Sequence, residues 1–249
     1  MMLSVSGLTK VFDQQPVFSG FDLTVTRNRF AVLIGPSGCG KSTFFDVLTG
    51  VTPADAGALR WQGEEVCHLG EVAAYMHQKD LLLPWFSLLE NSLLPARTGG
   101  GDLHQARSRA LQLFSRLGLS GYEQHLPHQV SGGMRQRCAL VRTLMFNRDL
   151  ILLDEPLSAL DAITRKSLQS LLVLLQSEFD RTLVMITHDV DEALLLADDL
   201  YLLSVKPMAI RDKIVLHGDK PRRFDNPELL AMKETILQQL QGDIEHVAG

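Results

Sequence analysis

The sequence predicts an α/β protein with a parallel sheet at its centre. Continuous apolar runs stand at residues 30–34, 150–153 and 183–186 of the 249-residue chain. A run without alternation is typical of a strand that is buried on both faces. Helical stretches separate these runs, and strands that alternate with helices along a chain form a parallel sheet.

Further elements extend this prediction. Strands are also predicted at residues 3–8, 17–25, 59–66, 72–76 and 209–216, and helices at 41–48, 103–117, 160–179, 190–197 and 226–240. The mostly helical middle of the chain, residues 80–145, interrupts the alternation and is interpreted as an inserted subdomain, with Gly99-Gly100-Gly101 as a flexible joint within it. We expect one domain over residues 1–240 and a short tail at 241–249.

Composition and charge exclude several classes of protein. The formal net charge is −5, and no basic field indicates binding to nucleic acid. No run of about 18 uncharged apolar residues predicts a transmembrane helix, and Lys10 and Asp13 interrupt the N-terminal stretch where a signal peptide would be apolar. Cys39, Cys67 and Cys138 are odd in number and widely spaced, which argues against a disulfide framework or a metal knuckle. We therefore expect a cytosolic protein.

A phosphate-binding loop is predicted between the strand at 30–34 and the helix at 41–48. The pattern GxxxxGK[ST] is matched by residues 35–42, which read Gly-Pro-Ser-Gly-Cys-Gly-Lys-Ser. Glycines let successive backbone N–H groups turn inward, and the following helix adds its positive N-terminal end. Lys41 can then reach the β- and γ-phosphates, and Ser42 can offer its hydroxyl to Mg²⁺. The alternative is a coincidental Gly-rich turn, expected in roughly one chain in a hundred, and the flanking strand and helix argue against it.

Cys39 lies inside this loop, close to the start of the helix. Two interpretations are open. The thiol is either reactive, because the helix N-terminus lowers its pKa, or it is simply a small side chain that fits the loop. A reactive thiol should be shielded by ATP from alkylating agents, whereas equal labelling with and without nucleotide would discard that interpretation.

Two carboxylates end the apolar run at 150–153. Asp154 and Glu155 stand at the C-terminal end of this strand, where open α/β sheets bind their ligands. Asp154 is suited to hold Mg²⁺, directly or through water, and Glu155 to accept a proton from an attacking water. The alternative, a polar strand end that turns into a loop, is disfavoured because a phosphate-binding loop precedes it in the chain.

A third motif identifies a family. Ser131-Gly132-Gly133 stands before a helical stretch, where its N–H groups and hydroxyl are available to an anion. In order with the other two motifs, it makes the chain resemble the ATP-binding subunits of ABC transporters over residues 1–240. The resemblance implies a P-loop NTPase (RecA-like) core, an N-terminal antiparallel β subdomain and an α-helical subdomain inserted at about 80–145, together forming one nucleotide-binding domain.

The resemblance also implies which residues hold ATP. The family's phosphate loop corresponds to Gly35, Pro36, Ser37, Gly38, Cys39, Gly40, Lys41, Ser42 and Thr43. Ser131, Gly132 and Gly133 match the signature motif, which contacts the γ-phosphate of ATP held by a partner chain. Phe12 occupies the position of the aromatic residue that stacks on adenine. Asp161 belongs to Ser158-Ala-Leu-Asp161, which resembles the loop at the dimer seam.

Catalytic and metal-binding roles follow from the same resemblance. Glu155 corresponds to the catalytic glutamate, and His188 to the switch histidine that senses the γ-phosphate. Gln78 falls where the family has a glutamine that contacts Mg²⁺ and the attacking water. Ser42, Gln78 and Asp154 are therefore the predicted metal ligands, and ATP and Mg²⁺ the predicted cofactors.

The chain departs from the family pattern at a few positions. Val130 and Met134 replace the usual Leu and Gln of the signature, and Met134 cannot make the hydrogen bonds of an amide. Phe12 replaces the commoner Tyr and keeps the ring that stacks. Arg27-Asn28-Arg29 stands where a Gly-Glu pair is usual, and we expect no functional loss from it.

The function implied by the resemblance is that of an ATPase that drives import. Two copies would close head to tail over two ATP molecules and move separate permease subunits. A periplasmic-type binding protein would be an indirect partner, and nucleic acid none. The chain would lie peripherally on the cytoplasmic side of the inner membrane. A soluble ABC ATPase outside transport, or an importer of the sugar, amino-acid or ion type, is the alternative.

The segment Ala74-Tyr-Met-His-Gln-Lys-Asp-Leu-Leu-Leu-Pro-Trp85 narrows the importer class. It resembles importers of the nitrate, sulfonate and taurine type, including carriers of thiamine-pyrimidine precursors, and so does the sequence SGGMRQR at 131–137. Within this segment, residues 81–86 are the candidate groove for a helix of the permease. Leu88, Leu89 and Leu93 have helical spacing and are predicted to be core.

Overall fold

A computed structural model describes residues 1–158 and 160–245, with side chains described as far as residue 240. The strands are β1 (Leu3–Phe12), β2 (Gln15–Val25), β3 (Phe30–Ile34), β4 (Ala56–Trp61), β5 (Glu64–Val66), β6 (Ala73–Met76), β7 (Leu150–Asp154), β8 (Thr182–Thr187), β9 (Asp199–Leu203) and β10 (Ile210–Val215). The helices are α1 (Lys41–Thr49), α2 (Leu88–Ser92), α3 (Leu94–Thr98), α4 (Leu103–Arg116), α5 (Gly132–Met145), α6 (Ala162–Ser177), α7 (Val190–Leu196) and α8 (Pro227–Glu245).

The central sheet confirms the predicted α/β class. Its strand order is β10-β9-β3-β8-β7-β6. Strands β9, β3, β8, β7 and β6 pair in parallel, and β10 is an antiparallel edge strand. Strand β9 is missing from the sequence prediction; it is only five residues long, and only Ala197 and Asp198 separate it from α7.

Both faces of this sheet are covered, which explains the continuous apolar runs. In β3, Phe30, Val32 and Ile34 pack into a core shared with α4 to α8. The alternate residues Ala31 and Leu33 pack on the opposite face, against α1 and the N-terminal strands. Because successive side chains of a strand point to opposite faces, every position of such a strand is buried.

The N-terminal antiparallel sheet is also confirmed. Its order is β2-β1-β4-β5, and all neighbours are antiparallel. The single stretch predicted at 59–66 is wrong in one respect, because a tight turn at Gln62 and Gly63 divides it into β4 and β5. Both turn residues have positive φ, 52° and 94°, which lets the chain reverse within two residues.

Helices α2 to α5 lie between β6 and β7 in the chain. Helix α2 begins at a capping box, in which the Ser87 hydroxyl accepts from Glu90 N and the Glu90 carboxylate accepts from Ser87 N. Its apolar residues are buried as predicted: Leu88, Leu89 and Leu93. Leu82 is 9% exposed and belongs to the same core, so its assignment to an exposed groove is wrong.

Helix α6 begins at Ala162 rather than at 160, because Asp161 caps it by accepting from the backbone N–H groups of Ile163 and Thr164. The division into one domain at 1–240 and a tail at 241–249 stays a prediction, and residues 246–249 lie outside the described residues. No helix in the described ranges is long and apolar enough to cross a membrane.

Candidate nucleotide-binding site

The predicted phosphate loop connects the end of β3 to the start of α1, at the carboxyl edge of the sheet. Its glycines are required by close packing. A Cβ atom added to Gly35 would lie 2.9 Å from Leu203 Cβ, and one added to Gly40 would lie 2.4 Å from Val17 Cγ1. Gly40 also has a φ of 121°, a conformation that other residues rarely adopt. Glycine at these two positions therefore lets the loop pack closely against Leu203 and Val17.

Lys41 places a positive charge inside this loop. Its side chain is only 6% exposed, and its Nζ donates to the carbonyl oxygens of Gly35 at 2.7 Å and Pro36 at 2.8 Å. Ser42 and Thr43 follow it in the first turn of α1, whose N–H groups have no intrahelical acceptors. Ammonium, free amides and helix N-terminus together suit a polyphosphate.

Cys39 lies in the same loop. Its surroundings support the interpretation that it is a small side chain that fits the loop, rather than a reactive thiol. It is 2% exposed, and burial raises the pKa of its thiol even though the charge of Lys41 opposes that shift. A buried thiol with a raised pKa is a poor nucleophile.

Three predicted catalytic side chains come together at the ends of β6, β7 and β8. Glu155 follows β7, and its Oε2 accepts from Gln78 Nε2 at 3.2 Å. Its Oε1 lies 3.0 Å from Nδ1 of His188. The parallel register brings these loops together, because Met76 pairs with Leu153 and Asp154 with Ile186. Both oxygens of the Glu155 carboxylate are thus oriented by side chains from neighbouring loops.

The backbone of Glu155 is also constrained. Its φ is 48°, in the left-handed region, and its N–H donates to Ile186 O at 2.9 Å. A non-glycine residue in this conformation costs on the order of 1 kcal/mol or more and persists only where its surroundings hold it. Such strain is common at functional sites.

Asp154 connects the acidic strand end to the phosphate loop. The Ser42 hydroxyl lies close to its carboxylate. Burial raises the pKa of Asp154 to about 6; the nearby Ser42 hydroxyl opposes this shift, and the charge of Glu155 raises the pKa further. Within the described part of the chain, Oδ1 of Asp154 has no hydrogen-bond partner although the residue is 2% exposed.

An orphaned carboxylate oxygen beside a hydroxyl fits a hard cation. Mg²⁺ prefers oxygen ligands and takes one or two carboxylates together with substrate phosphates. Ser42 and Asp154 supply such oxygens, and Gln78 lies next to them at Glu155. The residues present are therefore suited to Mg²⁺, although the roles of Ser42, Gln78 and Asp154 as its ligands stay predictions.

Phe12 lies at the edge of a cavity next to the phosphate loop. The ring is half-exposed, and the Nζ of Lys10 lies 5.0 Å from its centroid. The cavity measures about 430 Å³, and Val17, the residue that packs against Gly40, also lines it. This position is compatible with stacking on a base whose phosphates enter the loop.

The signature residues lie away from the phosphate loop of their own chain. Ser131 caps α5 by accepting from Met134 N at 3.3 Å. In the described ranges, no hydrogen bond or ion pair joins 131–133 to 35–43. The amides of Gly132 and Gly133 begin α5 and lack intrahelical acceptors.

Asp161 is primarily a helix cap. Its carboxylate also accepts from Thr164 Oγ1 at 2.7 Å, and its hydrogen bonds to Thr164 and Ile163 lower its pKa. Of the predicted loop Ser158-Ala-Leu-Asp161, Ala159 lies outside the described residues. A contact between Asp161 and nucleotide stays a prediction.

Two residues that support the site, Gln136 and Glu192, were not predicted from the sequence. Gln136 Nε2 donates to Glu155 O at 3.0 Å and so joins the signature helix α5 to the acidic loop. Glu192, buried in α7, accepts from Thr187 Oγ1 at 2.8 Å directly before His188. Gln136 lies within the sequence SGGMRQR at 131–137, which could have indicated a role in the site. The position of Glu192 in the sequence does not indicate that it contacts Thr187.

The fold and this site define a P-loop nucleotide-binding protein of the α/β class. A model of the family described as ABC transporter matches residues 18–158. The chain therefore belongs to the ABC transporter family, and it is the ATP-binding and ATP-hydrolysing subunit of such a transporter.

Curated relatives match along nearly the whole chain. The chain is 40% identical to an aliphatic sulfonates import ATP-binding protein of Rhodococcus jostii, over 96% of this chain and 93% of that protein. It is 37% identical to a formylaminopyrimidine import ATP-binding protein of Halalkalibacterium halodurans, over 90% of this chain and 88% of that protein. It is 34% identical to a taurine import ATP-binding protein of Yersinia pestis, over 95% of this chain and 96% of that protein.

Solved structures agree on the fold. The ATP-binding cassette MJ0796, in a dimeric post-hydrolysis state bound to ADP and Pi, superposes with a TM-score of 0.79 and 26% identity. The match covers 88% of this chain and 100% of that cassette. The predicted cassette fold is thereby confirmed.

Proposed function

We propose that this chain drives an importer of the nitrate, sulfonate, taurine or thiamine-precursor type. One observation carries the hydrolytic part: Glu155 is held between Gln78 and His188 at the edge of the sheet that bears the phosphate loop. The solute class is supported by relatives that match almost end to end and are named for import of sulfonates, taurine and formylaminopyrimidine.

In this proposal, Glu155 accepts a proton from the water that attacks the γ-phosphate. The amide of Gln78 and the imidazole of His188 hold the two carboxylate oxygens in a fixed direction, so the base needs no reorganisation before reaction. Lys41 stabilises the charge that develops on the phosphate oxygens. Bound Mg²⁺ would supply further charge stabilisation at the phosphates.

The complete site is proposed to need two copies of the chain. The amides of Gly132 and Gly133 are directed to no acceptor in their own helix, and Ser131 makes no contact with its own phosphate loop. A head-to-tail partner would bring these groups to the γ-phosphate. The dimeric state of the MJ0796 cassette supports this arrangement.

Force transmission is proposed to run through the segment after Gln78. Trp85 is 69% exposed, and Leu81 is also exposed, with a φ of 45°. Arg142 donates to the carbonyls of Asp80 and Leu81 and thereby ties the segment to α5. An exposed apolar surface on a rigid support is suited to a helix of a permease subunit.

Permease contact would place the chain peripherally on the cytoplasmic face of the membrane. A periplasmic-type binding protein would deliver solute to the permease without touching this chain. The importer names of the relatives support this placement.

The experiment is reconstitution of the chain with the permease that co-purifies with it and the corresponding binding protein. Uptake of labelled taurine, an alkanesulfonate, nitrate and formylaminopyrimidine is measured in vesicles loaded with ATP. We expect one of these to accumulate, and Lys41→Ala to abolish uptake while Lys166→Ala, on the exposed surface of α6, leaves it unchanged. Uptake of a sugar, amino acid or metal ion instead would contradict the solute class, and failure to co-purify with any permease would contradict the transport role.

A further inference from the structure

A second cavity lies at the opposite end of the sheet from the phosphate loop, near the beginning of β7. Its volume is about 130 Å³. Helices α4 and α5 form one side, and β7 and α6 form the other. Its large apolar lining residues are Leu113, Leu144, Ile151, Leu171, Leu175 and Phe179.

The charged residues around this cavity are all cationic. Arg109, Arg116, Arg148 and Arg181 line it, and no acidic side chain is among the lining residues, all of which belong to the described ranges. Only Arg181 has a carboxylate partner, Asp149, which lies outside the lining. Arg116 and Arg148 make no hydrogen bond or ion pair with other described residues. The cavity is therefore an apolar space with a positive rim, in which three of the four arginines have no carboxylate partner among the described residues.

Two of these arginines share one neutral acceptor. Arg109 Nη2 donates to Asn147 Oδ1 at 3.1 Å, and Arg181 Nη2 donates to the same oxygen at 2.9 Å. An amide oxygen carries no net charge, so Asn147 does not neutralise either guanidinium group; Arg181 is paired with Asp149, whereas Arg109 has no carboxylate partner among the described residues. Burial and the charge of Arg181 both lower the pKa of Arg109. Two cations that converge in this way are suited to an oxyanion, which guanidinium groups bind through paired, charge-assisted hydrogen bonds.

We propose that this cavity binds a small organic anion, with its carboxylate, sulfonate or phosphate on the arginines and its apolar body on the leucine-rich lining. The volume supports a compact body, because a protein cavity of about 150 Å³ is known to hold benzene. A benzene ring that bears one sulfonate group combines the two required parts. The site is distinct from the nucleotide site, which lies at the carboxyl ends of the strands.

The test is a calorimetric titration of the full chain with benzenesulfonate, in saturating ADP and Mg²⁺ so that the phosphate loop is filled. We expect saturable binding with one molecule per chain. Inorganic sulfate lacks the apolar body and benzyl alcohol lacks the charge, so each should bind weaker by about tenfold or more.

The double substitution Arg116→Gln, Arg148→Gln should weaken binding by about tenfold. It removes no hydrogen bond or ion pair among the described residues, so thermal unfolding should be unchanged. Arg109→Gln provides a second variant, which removes one of the two guanidinium groups at Asn147. The matched control is Arg107→Gln, on the same helix α4 but outside the lining. Absence of saturable binding, loss of binding when ADP is added, or equal affinity in both cavity variants and wild type would overturn the proposal.

Discussion

Nδ1 of His188 lies 3.0 Å from Oε1 of Glu155, although the two residues stand in different loops. The contact exists because β7 and β8 are parallel neighbours, so the residues after their carboxyl ends meet. It makes Glu155 the centre of the proposed hydrolytic site.

Glu155→Gln should lower ATP hydrolysis by about 100-fold or more, because an amide cannot accept the proton of water. Nucleotide binding should be retained, since Lys41 and the loop backbone are untouched, and ATP should trap the dimer. Phosphate release, fluorescent-nucleotide binding and light scattering measure the three effects. Glu178→Gln, an exposed change in the turn after α6, is the control. Full turnover in Glu155→Gln would refute its role as base.

Asp154→Asn should remove the dependence of nucleotide binding on Mg²⁺. In wild type, one oxygen of the Asp154 carboxylate is buried without a hydrogen-bond partner among the described residues. The neutral amide of asparagine is a weaker ligand for a hard cation than this charged oxygen. ATP affinity is measured with Mg²⁺ and with a chelator. Asp219→Asn, in an exposed loop, should behave as wild type. If Mg²⁺ still strengthens binding to Asp154→Asn as it does in wild type, Asp154 is not a ligand.

Glu192 should make stability depend on pH. Burial raises its pKa from 4.5 to about 7, opposed by the Thr187 hydrogen bond and by Arg165, while Asp189 raises it further. Because the folded pKa lies above the unfolded value, the folded chain holds a proton that the unfolded chain has released. The resulting stabilisation is complete below the unfolded pKa and is lost as pH rises through the folded pKa.

Between about pH 6 and pH 8, wild type should lose roughly 1 kcal/mol of unfolding free energy from this group. Glu192→Gln should lack that part of the pH dependence. Urea denaturation at each pH measures it, with Glu178→Gln as the control that keeps the wild-type slope. An identical slope in Glu192→Gln would mean that Glu192 is ionised throughout this range.

Trp85→Ala should weaken assembly with the permease and spare ATP binding. The indole is 69% exposed and lies in an edge-to-face arrangement with Phe86, so its loss should leave the core intact. Co-purification and nucleotide affinity are compared with those of Val215→Ala, an exposed apolar residue on β10. If assembly with the permease stays intact and ATP binding is lost, this segment supports the nucleotide site and does not contact the permease.

Cys39 should resist alkylation, whereas Cys67 should react. Cys67 is exposed, and Cys39 is buried with a raised pKa. Mass spectrometry after iodoacetamide treatment, with and without ATP, measures both sites. Labelling of Cys39 that ATP suppresses would restore the interpretation as a reactive thiol.

Contiguous motifs could be predicted from the sequence because they carry their own geometry. The phosphate loop needs bare backbone at Gly35 and Gly40, and its position between a buried strand and a helix is visible in neighbouring residues. The apolar runs at 30–34 and 183–186 likewise predicted strands buried on both faces. Each of these conclusions depends on local backbone and burial preferences, which are encoded within a few residues.

Several features could not be predicted because their partners are distant in the chain. The spacing of residues did not predict that Gln78 and His188 meet at one carboxylate, and only resemblance to a family indicated their roles. Leu82 was misplaced for the same reason, since its burial depends on how the segment after β6 packs on α5. Local patterns cannot distinguish such a residue from the exposed Leu81 beside it.

The sequence by itself determined the α/β class, the phosphate loop and the family. Only the tertiary structure decided that Arg109 of α4 and Arg181, which directly precedes β8, both donate to Asn147. The same is true of Oδ1 of Asp154, which is buried without a hydrogen-bond partner among the described residues. Strand register and helix packing bring these groups together across long stretches of chain. Such contacts depend on the folded arrangement of the whole chain, because no short-range preference specifies which distant side chains become neighbours.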